Sequence, residues 1–164
     1  MKVREIMTEE PRCCHSDTNL AAATELMWNN DCGVLPVVDD GRLAGIITDR
    51  DICIALGTRN RPATDIAVRD VATHEVQTCA PDEDVHTAMA VMRRAKVHRL
   101  PVVNDEGKME GVIALNDIVL AAERKHGAID YEEVMNTIKA VSEHRGHNAL
   151  PAKLTSPPIA VATA

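Results

Sequence analysis

Two short stretches of the chain set a carboxylate at the start of a helix. In "GIITDRD", residues 45–51, an apolar run ends at Thr48 and Asp51 follows three positions later. In "GVIALND", residues 111–117, Ala114 replaces the threonine and the carboxylate of Asp117 is kept. T-x-x-D is the spacing of a helix capping box, worth about 1 kcal/mol. Ala114 cannot cap, so the retention of Asp117 points to a second use. A carboxylate there can accept both hydroxyls of a sugar diol, and the helix N-terminus and a nearby hydroxyl favour an adjacent phosphate. Cations for that phosphate stand in "HRLPVV", residues 98–103. Arg99 offers a planar fork matched to phosphate oxygens, and His98 adds a donor whose charge depends on pH. By themselves His98 and Arg99 also fit a solvated strand end.

Other reactive side chains make a weaker pattern. "CCH", residues 13–15, puts two thiols and an imidazole side by side, but neighbours on a strand point to opposite faces. Buried cysteines beside a surface histidine account for it. With Cys79 the triplet would make a metal or redox sensor, although no zinc-knuckle spacing supports one. His74, His86, His126, His144 and His147 stand in polar surroundings and read as solvated. Asp49 and Arg50 read as the first turn of an exposed helix.

The elements that position these residues are written twice. Residues 3–27, "VREIMTEEPRCCHSDTNLAAATELM", align without a gap to 68–92, "VRDVATHEVQTCAPDEDVHTAMAVM". "LPVVDDGRLAGIITDRDI", from 35, continues against "LPVVNDEGKMEGVIALNDI", from 100, with one residue inserted in the turn. Over residues 3–52, 18 of 50 aligned positions are identical, far above chance, so the chain is a duplication. Each copy begins with a short apolar strand, Arg12–His15 or Val76–Cys79. Helices over about 18–30 and 83–95 follow, with Leu20, Ala23 and Met27, or Val85, Met89 and Met92, on one face. Two β-branched runs joined by a tight turn come next, then a second helix. The order β-α-β-β-α cannot cover its own sheet, so the two copies must pack together. Beyond them, Asp130 and Glu133 have capping-box spacing, and Val134, Ile138 and Val141 lie on one face of a helix stopped by Gly146. The expected divisions are 1–66 and 67–127 for the copies, 128–146 for the amphipathic helix covering the pair or a partner subunit, and 147–164 for a mobile tail.

Two such copies, each with "LPVV", a Gly turn and "G-[IV]-I-x-x-x-D", resemble a tandem pair of CBS domains, the Bateman module, over residues 1–125. The resemblance implies an α/β (α+β) fold of two β-α-β-β-α repeats packed about a pseudo-twofold axis, with the C-terminal helix added. It implies clefts for AMP, ADP, ATP, S-adenosylmethionine or NAD, with Asp51 on the ribose and Thr48 on ribose or phosphate. In some members a His-Arg pair of one repeat reaches the phosphate held by the other, which would bring His98 and Arg99 to Thr48 and Asp51. A second site keeps Asp117, with Arg50 leaning toward it, but has Ala114, Gly33 and Val34 where the hydroxyl and cations would be. Adenine would slot near Cys13, Ile46 and Leu100.

Composition narrows the function further. A formal charge of −7 argues against a nucleic-acid surface, which needs clustered Lys and Arg. With no Phe, one Trp and one Tyr, the core must be built of small aliphatics and Met, and no aromatic platform stacks on a base. The first ten residues carry no apolar run, and no segment has the length of a membrane span. Five cysteines without C-x-x-C spacing read as reduced thiols in a cytoplasmic protein. The expectation is a non-enzymatic regulatory module without a cofactor or metal. It binds an adenine nucleotide or related adenosyl ligand, forms a homodimer and signals to an effector protein still to be named. The alternative is a ligand-free dimerisation scaffold.

Overall fold

The computed structural model describes residues 1–122 and 128–143. Each copy contributes a β-hairpin. Strands β2 (Val34–Asp39) and β3 (Arg42–Thr48) pair antiparallel, as do β4 (Arg99–Val103) and β5 (Met109–Ala114). The first turn holds Asp40 and Gly41 at positive φ, the conformation a two-residue hairpin needs. Both hairpins shift register at the same place, between Val37 and Val38 and between Val102 and Val103. The repeated "LPVV" therefore carries the same bulge in both copies.

Helices α1 (Leu20–Asn29) and α3 (Val85–Ala95) precede the hairpins, and α2 (Asp49–Arg59) and α4 (Leu115–Ala121) follow them. Asn19 caps α1 by accepting from the Ala22 N–H at 2.9 Å, and Asp84 caps α3 by accepting from His86 at 3.0 Å. The short strands expected at Arg12–His15 and Val76–Cys79 shrink to one parallel bridge each, Cys14 to Val37 and Cys79 to Val102. Their ladders stop because Pro36 and Pro101, beside the bridge, have no N–H to donate.

The leading segments of the two copies are exchanged. The Val3 N–H donates to the Glu83 carbonyl at 3.0 Å, and the Val68 N–H donates to the Thr18 carbonyl at 2.8 Å. Arg4 to Pro81 and Arg69 to Ser16 repeat the pattern one residue on. Val3 is wholly buried in the core formed by α3, α4 and the second hairpin, whereas Val68 is wholly buried in the core of α1, α2 and the first. Strand β1 (Thr8–Glu9) extends the second sheet by pairing with β5, and Thr73 bridges Ile46 in the first. Gly45 and Gly111 make this approach possible. A Cβ on Gly45 would stand 2.9 Å from the Thr73 carbonyl oxygen, and one on Gly111 2.8 Å from that of Thr8. The hairpin turns meet as well: the Met109 N–H donates to the Gly41 carbonyl at 3.1 Å, and Arg42 bridges Lys108. The two repeats form one pseudo-twofold pair.

Helix α5 (Tyr131–Ser142) covers the second core, which takes in Val134 and Val141, with Ile138 against it. Asp130 is the N-cap, but its carboxylate accepts from the Glu132 N–H at 3.3 Å. Glu133 does not close the expected capping box. Its Oε2 lies 2.6 Å from Nδ1 of His86 on α3, and His86 Nε2 lies 3.0 Å from the Ala128 carbonyl. Arg93 donates to Thr137 at 2.8 Å and Lys96 to Glu143 at 2.9 Å. His86 is therefore exposed, as its polar surroundings suggest, and at the same time a tether for α5. Gly146, the expected stop, and the expected tail lie outside the described residues.

Candidate functional site

Each strand-to-helix turn presents a carboxylate. Thr48 leaves β3 extended and caps α2, its hydroxyl accepting from the Asp51 N–H at 3.2 Å. Asp51 returns the contact: its Oδ2 accepts from the Thr48 N–H at 3.0 Å and from the Thr48 hydroxyl at 2.7 Å. At the second turn the Ala114 N–H donates to Asp117 Oδ2 at 2.7 Å. Half of the box thus survives without a hydroxyl. Asp117 keeps a structural partner, which corrects the inference that loss of Thr would leave it none. In both turns Oδ1 accepts no hydrogen bond among the described residues. Asp51 and Asp117 are each half-buried.

His98 and Arg99 are exposed and begin β4. The His98 carbonyl accepts from the Leu115 N–H at 2.8 Å, and Arg99 pairs across the ladder with Ala114. Their backbone thus flanks the turn of Asp117. Among the described residues, no hydrogen bond, ion pair or strand pairing joins either of them to Thr48 or Asp51. The same positions in the first copy, Gly33 and Val34, flank Thr48: Gly33 accepts from the Asp49 N–H at 3.1 Å, and Val34 pairs with Thr48. Arg50 is exposed in the first turn of α2, its N–H donating to Asp49 Oδ1 at 2.7 Å.

Of the residues expected around an adenine, Cys13 and Ile46 are half-buried and Leu100 is wholly buried in the second core. A groove of about 220 Å³ does run between the copies, lined by Leu43, Gly45 and His74 on one side and Val103 and Gly107 on the other. The His74 ring contacts the Ala44 carbonyl at 3.1 Å and the Arg69 carbonyl at 3.2 Å. It joins a connecting segment to a hairpin, a role that its polar neighbours in the sequence did not signal.

The thiols of the two copies do not converge. Cys14 belongs to the first core and Cys79 to the second. Burial, with smaller contributions from Cys13 and Asp39, pushes the Cys14 thiol up to about 11. Burial, aided by Glu83, pushes Cys79 up to about 12. Neither is a ready ligand or nucleophile. Among the described residues no three His, Cys, Asp or Glu side chains gather as a metal site. Among them also, no helix is long and apolar enough to cross a membrane.

The family model of the CBS domain matches twice, at residues 3–58 and 68–124. The chain belongs to the CBS-domain family. Among curated proteins, the CBS domain-containing protein YhcV of Bacillus subtilis is 29% identical over 118 residues, 72% of this chain and 83% of that one. Inosine-5'-monophosphate dehydrogenase of Mycobacterium leprae is 35% identical over 115 residues, 69% of this chain but 21% of the enzyme. The likeness to that enzyme is confined to a CBS region. Among solved structures, the CBS domain pair of protein MJ0100 in complex with 5'-methylthioadenosine and S-adenosyl-L-methionine superposes with a TM-score of 0.66. It is 28% identical, with 73% of this chain and 94% of that one covered. The tandem CBS pair expected from the repeats is the fold found.

Proposed function

We propose that this CBS pair is a non-enzymatic sensor that binds an adenosine-containing ligand, an adenine nucleotide first, between its repeats and signals to a partner. The observation that carries the reading is the unused Oδ1 of Asp51 beside a Thr48 hydroxyl at a helix start. A ribose diol needs a carboxylate with an open acceptor, and the α2 N-terminus favours a neighbouring phosphate. The adenosyl compounds held by the MJ0100 pair support the ligand class. In this reading His98 and Arg99 reach across to the phosphate held at Asp51, and the Asp117 turn, lacking a hydroxyl, is the poorer site.

The strand register favours a second reading of the cations. Arg99 pairs with Ala114, so its guanidinium would serve a ligand at Asp117. Calorimetric titration with AMP, ATP, NAD and S-adenosylmethionine separates the two. In the first reading, Asp51→Ala removes most binding and Asp117→Ala removes little. Arg99→Ala then weakens AMP at least tenfold more than adenosine, with its effect absent in the Asp51→Ala background. Coupling of Arg99 to Asp117 instead moves the cations to the second site. Silence across the panel, with normal assembly, leaves a dimerisation scaffold.

The proposed homodimer rests on matched exposed apolar residues on the second helix of each copy. Ile54 on α2 is 41% exposed, and its counterpart Leu120 on α4 is 85% exposed. Sedimentation of the Ile54→Glu, Leu120→Glu double variant is expected to shift from dimer to monomer. Unchanged sedimentation places any dimer contact elsewhere.

A further inference from the structure

The duplication supplies an internal template for an interaction surface. In the second copy, α5 lies on α3 and α4, and the core it covers includes Met89, Met92, Leu115 and Ile118. The corresponding residues of the first copy are Thr24, Met27, Asp49 and Ile52. With Trp28 and Asp31 they line an open groove of about 380 Å³ on α1 and α2. No described helix of the chain covers that face. Met89 is wholly buried under the second arrangement, whereas Thr24 is exposed in the first.

The charges on the two faces are opposite. Arg93 and Lys96, which bind Glu133 and Thr137 of α5 and Glu143 at its C-cap, align with Trp28 and Asp31. The last turn of α3 carries Arg93 and Arg94, which suit the negative end of a helix dipole. The last turn of α1 carries no cation, and Asp31 follows its end. Neither Asp31 nor Asp49 forms an ion pair among the described residues. Trp28, the only tryptophan in the chain, is 85% exposed. A large exposed indole beside two carboxylates recognises a cationic side chain through its ring face and a carboxylate together.

We infer that the α1–α2 face docks an amphipathic helix of a partner protein that carries Lys or Arg where α5 carries Glu133 and Glu143. Its apolar side takes the place of Val134 and Val141 over Met27 and Ile52. One cation lies on Trp28 and another reaches Asp31. The α5 helix of a second copy is the wrong occupant, because Glu133 and Glu143 would meet Trp28 and Asp31. Neither Asp51 nor Asp117 lines this groove, and the inference does not rest on nucleotide binding.

Trp28 reports on the groove directly. The probes are two synthetic peptides of sequence 130–143, one native and one with Lys in place of Glu133 and Glu143, titrated into the full chain with indole excitation. The basic peptide is expected to shift Trp28 emission to shorter wavelength and saturate, and the native peptide to bind at least tenfold more weakly. Asp31→Lys is expected to reverse that order. Because Asp31 is exposed, the substitution leaves the cores intact, which far-ultraviolet circular dichroism checks. Equal affinity for the two peptides, no saturable shift with either, or an order unmoved by Asp31→Lys overturns the inference. A Trp28 shift that follows protein concentration alone, with self-association in sedimentation, assigns the face to a second copy and also overturns it.

Discussion

Thr48 and Asp51 cap α2, and in the function proposed above the same two side chains also hold the ligand, so the costs of removing them separate the two roles. Thr48→Ala deletes the hydroxyl that accepts from the Asp51 N–H and donates to its Oδ2. A lost N-cap costs about 1 kcal/mol, measured as a fall in the urea midpoint without a change in slope. The second turn already lives with Ala114, so restoring a hydroxyl there, Ala114→Thr, is expected to raise stability by a similar amount. If Ala114→Thr changes nothing, the hydroxyl matters to the first turn through a ligand and not through the helix. The thiols give a second residue-scale test. Cys14 and Cys79 are buried and held protonated, at about 11 and about 12, while Cys53 is exposed. At pH 8, well below both values, a disulfide reagent is expected to modify Cys53 rapidly and to reach Cys14 and Cys79 only on unfolding. Rapid native-state modification of all five cysteines would mean that the cores open far more often than their packing implies.

The elements were legible in the sequence to the extent that each is fixed by its own residues. Helical spacing marked α1, α3 and α5, and the Gly turns marked the hairpins, because a buried stripe or a positive φ leaves a local imprint. The strands expected at Arg12–His15 and Val76–Cys79 were overread, since Cys14 and Cys79 are buried while Pro36 and Pro101 end the ladder from the other side. Glu133 was misread for a related reason. A glutamate three residues after an Asp cap looks like a box, and only packing against α3 reveals that His86 and Arg93 take it. At the site, the two carboxylates were visible as a repeated motif, but the half-box at Ala114 depends on a backbone N–H that composition does not display. The Lys96–Glu143 tether makes the docking of α5 sensitive to acid, and the Asp84 cap does the same for the start of α3, on which α5 lies. Hydrogen bonding from His86 and the nearby N-terminus hold the Asp84 carboxyl below its ordinary 3.8, and the Lys96 contact holds Glu143 below its ordinary 4.5. A carboxyl lowered by folding stabilises the fold above its unfolded value, and that contribution disappears as pH falls through the folded value. Stability carried by both groups is therefore complete above about pH 5 and declines below it. Amide exchange during acidification is expected to show α5 losing protection before α1. Equal loss in both helices would mean that the apolar contacts of Val134 and Val141 alone hold α5.

At the scale of the whole molecule, exchange of the leading segments makes two similar cores depend on each other. An alignment cannot show it: "VREIM" and "VRDVA" are alike, so either fits either hairpin, and chain connectivity alone leaves the choice open. The structure puts each on the copy it does not lead, with Gly45 and Gly111 making room. Such an arrangement couples the copies through their backbones. A ligand that bridges the repeats would therefore act on elements already joined by two crossing segments, and its effect on the pair is limited by its differential affinity for the joined and loosened forms. The crossing predicts an inverted pattern of mutational damage. Val3 and Val68 are both fully buried, and truncation of either to Ala costs roughly 1–3 kcal/mol through lost burial and an unfilled cavity. Val3→Ala, although it lies in the first copy by sequence, is expected to lower amide protection in α3 and α4 while α1 and α2 are spared. Val68→Ala is expected to do the reverse. Damage confined to the copy that contains the substitution would place each leading segment on its own hairpin and remove the exchange. Damage spread evenly would mean that the pair unfolds as one unit, and then a subdenaturing urea series is needed to lower the global barrier until the local openings separate.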